Sequence, residues 1–209
     1  MWGKIENKKV TKIYRYPEQL RDASGTLHPK ATFKSNTKLA EFYIYPVVNA
    51  NTQPTYPELY NGVGESYAWN EENSQIDRTY NFSAKALDDA NAKDADGKDL
   101  KDLDGNQVID EGLKTILKRK VSNMQSSLLS STDKWIIRKA DTDEAIPSTV
   151  ATYRKSIRDS ATTMETAITN AKDFDAVVAL LTTVYNTNGS IKTPATLYNF
   201  PVQPDDMPE

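Results

Sequence analysis

The sequence predicts an α+β chain: an N-terminal small antiparallel β domain with hairpins, then a C-terminal helical hairpin or three-helix unit with an extended Pro-rich tail. Three observations carry this. Roughly two thirds of the Trp, Tyr and Phe residues fall in the first eighty or so positions, where apolar and polar residues alternate as in strands. Beyond Gly112 the apolar residues recur every three or four positions, the period of a helix. Between them lies an acidic Asp- and Gly-rich stretch, so the expected boundaries are 1–87, 88–112 and 113–209.

The first element is a hairpin in which Lys4-Ile5-Glu6 and Val10 to Tyr14 flank Asn7-Lys8-Lys9, with Pro17 ending it. A polar loop holding His28 follows, and Ser35-Asn36-Thr37 caps a short helix over Lys38 to Phe42. Tyr43 to Val48 reads as extended, with Pro46 confining it to an edge or a strand end. Asn49 to Gly64 reads as a loop. A second hairpin places Tyr67 and Trp69 against Ile76, Arg78, Tyr80 and Phe82 around a turn at Asn70 to Gln75.

The acidic stretch repeats itself. Asp94-Ala95-Asp96-Gly97-Lys98-Asp99-Leu100 is echoed eight residues later by Asp102-Leu103-Asp104-Gly105-Asn106-Gln107-Val108, which predicts a looped linker or small hairpin. A helix then runs from Gly112 to about Lys139 with Leu113, Ile116, Leu117, Val121, Met124, Leu128, Leu129 and Trp135 on one face. After a turn at Asp141 to Pro147, Ser148 is the expected N-cap of a second helix striped by Val150, Tyr153, Ile157, Ala161, Met164 and Ile168. Asp173 caps a third, striped by Val177, Val178, Leu181, Val184 and Tyr185. The tail from Asn186, with Pro194, Pro201, Pro204 and Pro208, excludes regular helix or central strand and is expected to run extended over a neighbour.

Composition excludes several function classes. The 209 residues, 38% of them hydrophobic, suffice for a real core. With 26 Lys and Arg against 29 Asp and Glu, the charge is too balanced for a duplex-binding surface, so no nucleic-acid partner is expected. There is no cysteine, hence no disulfide framework or thiolate metal site. No basic start followed by an apolar run, and no window near 18 apolar residues, points to a signal peptide or a membrane span, and the expectation is a soluble chain.

The residue types that carry chemistry are sparse. His28 is the only histidine and sits in a loop before Pro29, without the neighbours that a triad or metal site requires, and it is assigned no role. No Gly-rich phosphate loop, dinucleotide fingerprint or Gly-x-Ser-x-Gly is present. The twin Asp-x-Asp-Gly does not fit a calcium loop: setting Gly105 at the sixth position puts Leu100 first, and setting Gly97 there puts Ala92 first and Leu103 twelfth. Both registers fail, and tight turns explain the pattern. Asp88-Asp89, Asp143-Glu144 and Asp205-Asp206 read as solvated charges, as does Lys118-Arg119-Lys120. The expectation is a protein that is not an enzyme and binds no cofactor or metal.

Four short pieces of the C-terminal half remain: Thr132-Asp133-Lys134-Trp135, Ile146-Pro147, Tyr153-Arg154 with Arg158, and Phe200-Pro201-Val202-Gln203-Pro204. In that order they resemble the core motif of phage tail and tail-fibre assembly chaperone-like domains, over about Gly112 to Pro204. Lys134 is inserted in the first piece, Phe200 stands where that motif has Trp, and a helix over Phe174 to Tyr185 is extra. Gly3 to Asn7, Tyr45-Pro46-Val47 and Asp104 to Lys114 are similar, more loosely, to virion proteins of marine tailed phages. The resemblance implies a non-enzymatic structural or adaptor protein of a tail, tail fibre or baseplate, oligomeric in the assembly and located in the virion. The alternative it implies is a tail-fibre assembly chaperone that leaves before the particle matures. The interface candidates are Trp135, Tyr153, Arg154, Arg158, Phe200 and Pro201; for Arg154 and Arg158 an internal salt bridge is the competing reading.

Overall fold

In the computed structural model, which describes residues 1–207, Asn7 and Lys8 both take positive φ (52° and 61°) and join β1 (Trp2–Glu6) to β2 (Lys9–Tyr14). Two such residues make the turn whose twist matches the flanking strands. Two compact units make up the chain, with their boundary between Ala84 and Lys85, and strands and helices both contribute, giving the α+β class.

In the first unit, β3 (Leu20–Arg21) and β4 (Leu27–His28) form a small hairpin inside the segment expected to be loop. Ser35 caps α1 (Asn36–Ala40), its hydroxyl accepting from the Lys38 N–H at 3.2 Å. β5 (Ile44–Asn49), β6 (Tyr60–Asn70) and β7 (Gln75–Ala84) complete a sheet of order β2-β1-β5-β7-β6. β6 starts at Tyr60, inside the stretch read from sequence as loop.

Pro46 corrects two expectations. β5 lies in the middle of the sheet, antiparallel to β1 through Ile44–Pro46 and parallel to β7 through Val47–Asn49, so the sheet is mixed and Pro46 is not on an edge strand. The ladder to β1 is bonded at Ile5–Tyr43 and Val47–Met1, and its two-residue alternation makes Trp2↔Pro46 a non-hydrogen-bonded pair. The missing N–H therefore falls where β5 passes from one partner to the other, and no ladder bond is lost. Gly3 is equally constrained: a Cβ there would overlap the Ile76 side chain, with Ile13 Cδ1 at 3.1 Å. One face of the sheet is closed by Tyr14, Leu20, Phe33, Leu39 and Ile44, with Trp2 and Phe42 packed against them.

The second unit opens with the repeated Asp/Gly segment. β8 (Ala90–Asn91) pairs with β9 (Ile109–Asp110), and single bridges join Lys93 to Asp99 and Lys101 to Gln107. The eight-residue repeat closes on itself. Leu100 N–H donates to the Ala92 carbonyl, Val108 N–H to Leu100, and Ala92 N–H to Val108, at 2.8 to 2.9 Å. The Gln107 amide nitrogen donates to the carbonyls of Val108 at 2.8 Å and Leu100 at 3.1 Å. What reads from sequence as linker or hairpin is thus a closed three-cornered structure. At its corners Asp94 accepts from the N–H groups of Asp96 and Lys98, and Asp102 from those of Asp104 and Asn106. Gly97 and Gly105 supply the positive φ, 78° and 85°, that ends each turn.

Four helices follow: α2 (Leu113–Ser130), α3 (Asp133–Thr142), α4 (Ser148–Asn170) and α5 (Phe174–Leu181). The orphan N–H groups of α2 are satisfied from before Gly112. Leu113 and Lys114 donate to the carbonyls of Ala86 and Leu87, and the Asp89 carboxylate accepts from the Gly112 N–H at 2.7 Å and the Thr115 hydroxyl at 2.9 Å. α2 packs on α4 through Leu113, Leu117 and Val121, facing a stripe that includes Val150, Tyr153, Ile157 and Met164, all buried. Pro147 rather than Ser148 stands at the N-cap of α4, with no side-chain cap, whereas Asp173 caps α5 as the spacing predicts.

Two helical expectations fail for physical reasons. The single helix to Lys139 is broken at Ser131-Thr132, and α5 stops at Leu181, handing Val184–Tyr185 to β10, which pairs with β11 (Ile191–Thr193). The β-branched run Thr182-Thr183-Val184 favours extended backbone, which a stripe count does not register. The tail returns over its own unit at Leu197, which is buried and whose N–H donates to the Leu180 carbonyl at 2.9 Å.

Candidate interaction site

The site is built around the break between α2 and α3. Ser130, Ser131 and Thr132 each turn a hydroxyl back onto the carbonyl three residues earlier, at 2.7 to 2.9 Å, which competes with continuation of the helix. Thr132 is buried, 1% exposed, and its backbone (φ −115°, ψ 6°) has left the helical region. The break is held from α4. Arg154, 7% exposed, donates from one terminal nitrogen to the Leu129 carbonyl at 2.8 Å, the Thr132 hydroxyl at 2.6 Å and the Asp133 carboxylate at 2.9 Å. A guanidinium suits this place because its charge is met by Asp133 and its donors by the Leu129 carbonyl at the helix end, which the Thr132 N–H and hydroxyl share. Its Nε is buried without a hydrogen-bond partner among the described residues.

Of the two readings for Arg154, the internal salt bridge describes its position: its guanidinium is spent inside the fold. Arg158, one turn further along α4, is exposed and has no carboxylate partner among the described residues. Tyr153 faces a different neighbour. With Ser148, Thr149, Thr152 and Ser156 it lines a groove of about 380 Å³ whose other wall is Pro201, Val202 and Pro204 of the returning tail. Phe200 is half-buried beside it in sequence.

Trp135 lies on α3, half-buried, with the Lys134 ammonium 5.5 Å and the Arg138 guanidinium 5.7 Å from its ring. No residue of α3 is buried, and Ile136 and Ile137 are 39% and 67% exposed. A helix of this composition displays its apolar residues instead of burying them in its own unit. Neither a family model, nor a curated protein, nor a solved structure matches the chain.

The six candidates thus separate into four places: Arg154 inside the junction, Tyr153 and Pro201 in the tail groove with Phe200 next to it in sequence, Trp135 on α3, and Arg158 exposed on α4. Sequence reasoning did not single out Thr132 by itself or Ile136 and Ile137. The signal for Thr132 was the Ser-Ser-Thr run interrupting the stripe, and for the isoleucines their place off that stripe.

Elsewhere the notable electrostatics belong to turns. The Asp22 carboxylate is held far below the usual range, first by His28, whose Nε2 lies 2.9 Å from it, then by the Ser24 hydroxyl. Asp89 is lowered by the Gly112 N–H and the Thr115 hydroxyl, and Asp102 by the Asn106 N–H and side chain. Among the described residues no group of three or more His, Asp or Glu is placed to hold a metal ion, and no helix is long and apolar enough to cross a membrane.

Proposed function

We propose that this chain is a non-enzymatic structural or adaptor subunit of a tailed-phage virion, in the tail, tail fibre or baseplate, acting by association with other virion proteins. The phage assignment rests on the resemblance of the four C-terminal pieces, and one observation supports the association. Arg154 fixes the base of α3 through the residues of the Thr132-Asp133 piece, and α3 itself presents Trp135, Ile136 and Ile137 without burying any of them. An anchored helix with an uncovered apolar face and flanking Lys134 and Lys139 suits a partner surface that is apolar with an acidic rim. Aromatic residues of this kind concentrate binding energy.

Quantitative mass spectrometry of purified, fully assembled particles tests it, reading this chain against the major capsid protein. Stoichiometric peptides are expected. Absence from particles, with abundant protein in the infected-cell lysate, overturns the reading in favour of an assembly chaperone.

A further inference from the structure

Two surface features that the α3 site does not use match each other in shape and charge. The first is a protruding leucine. Leu103 stands second in the Asp102-Leu103-Asp104-Gly105 turn, is fully exposed, and is carried on a corner fixed by the Asp102 carboxylate and the positive φ of Gly105. Asp102 is spent on its own turn, but the Asp104 carboxylate beside Leu103 is exposed and unpaired among the described residues. The surrounding segment 88–112 holds nine Asp and Glu against three Lys.

The second feature is an open pocket of about 540 Å³ in the first unit, lined by Trp2, Pro17, Lys30, Ala31, Phe33 and Lys34. Its floor is aromatic, with the Trp2 and Phe33 rings edge to face at 5.1 Å. Its rim is basic: Lys30 and Lys34 are exposed at the two ends of one 3-10 helix and neither has an ion-pair partner among the described residues. The segment that supplies the pocket, residues 1–38, holds nine Lys and Arg against three Asp and Glu, the mirror of the acidic segment.

We propose that copies of this chain associate tip to pocket, Leu103 of one copy entering the Trp2–Phe33 pocket of another while its Asp104 meets Lys30 and Lys34. The occupant is a second copy because the complementary apolar tip and charge sit on the same chain, and the pocket has room for a leucine side chain with the backbone of its turn. Tip and pocket are different surfaces of one chain, so the contact builds a ring, a filament, or a two-fold pair in which each tip fills the other copy's pocket. This association is independent of the virion reading and stands or falls without it.

The test is sedimentation velocity of the full chain from about 10 µM to about 1 mM, at about 50 mM and about 500 mM salt, where screening separates the charged part of the contact. The mean mass is expected to rise with concentration at low salt and to fall at high salt. Leu103→Ser is expected to weaken association at least about tenfold. Asp104→Lys and the pair Lys30→Glu/Lys34→Glu are each expected to abolish it alone. Mixed in equal amounts, these two variants restore it, because each tip then meets a pocket of opposite charge. A chain that stays monomeric throughout overturns the proposal, as does a mass that saturates at dimer and ignores Leu103→Ser. Failure of the mixture to recover, with both variants folded by circular dichroism, overturns it as well.

Discussion

Arg154 donates to the hydroxyl of Thr132 at 2.6 Å across 22 residues of chain, and both side chains are buried. This bond joins α4 to the point where α2 gives way to α3. Arg154→Met removes the donor from the Leu129 carbonyl and the Thr132 hydroxyl, while Asp133 remains half-exposed to water. The expected loss is about 1.5–3 kcal/mol, the range for hydrogen bonds to a charged group. Thr132→Val is expected to cost about 1 kcal/mol, and the double variant less than the sum, because the two share one bond. Urea denaturation of the four proteins checks this; full additivity would sink the coupling.

Gly112 is buried, and a Cβ there would overlap the backbone of Leu87 and Asp88, which supply or flank the caps of α2. Gly112→Ala is therefore expected to destabilise the chain by about 1–3 kcal/mol, as overpacking does. The urea midpoint reads this directly. An unchanged midpoint would mean that the cap of α2 is dispensable.

Acid should weaken the fold along a predictable course. Asp22, Asp89 and Asp102 are held below the ordinary carboxylate range by hydrogen bonds from His28, the Gly112 N–H and the Asn106 N–H respectively. A depressed folded value means that the unfolded chain binds more protons near pH 4, so the contribution is complete above that point and is lost as pH falls through the folded values. Urea midpoints between pH 7 and pH 2 should show a plateau and then a fall. Asp89→Asn should lower the plateau and flatten the fall.

Lys8 occupies a left-handed turn position at φ 61°, where a side chain is strained, and its ammonium reaches Glu71 at 2.7 Å from an exposed place. Lys8→Gly is expected to raise stability by about 0.5–1 kcal/mol, because the relief of strain exceeds the worth of a surface pair. Thermal unfolding of this single variant decides which effect wins.

How far the fold was legible depends on how local its causes are. The Asn7-Lys8 hairpin, the Ser35 and Asp173 caps and the two-domain change of period were readable because each is set by neighbouring residues. The break at Thr132 was not, because Trp135 resumes the apolar stripe beyond the gap after Leu129 and the group that holds the break, Arg154, lies on another helix. The central placement of Pro46 depends on two partner strands that meet β5 at different halves. For the candidate site, sequence brought forward Tyr153, Arg154 and Trp135 but could not say that one is internal, one lines a groove and one is displayed.

The closed cycle of Ala92, Leu100 and Val108 has a kinetic consequence. An open hairpin frays from its free end, one bond after another, so its amides exchange with solvent at graded rates. A cycle has no free end. Each of the three residues is at once donor to one partner and acceptor for the other, so opening at any corner loosens the remaining two. The three amides should therefore share one exchange rate in heavy water, although the segment that contains them is short and densely charged. In that respect the repeat behaves as a clasp, either shut or released as a whole.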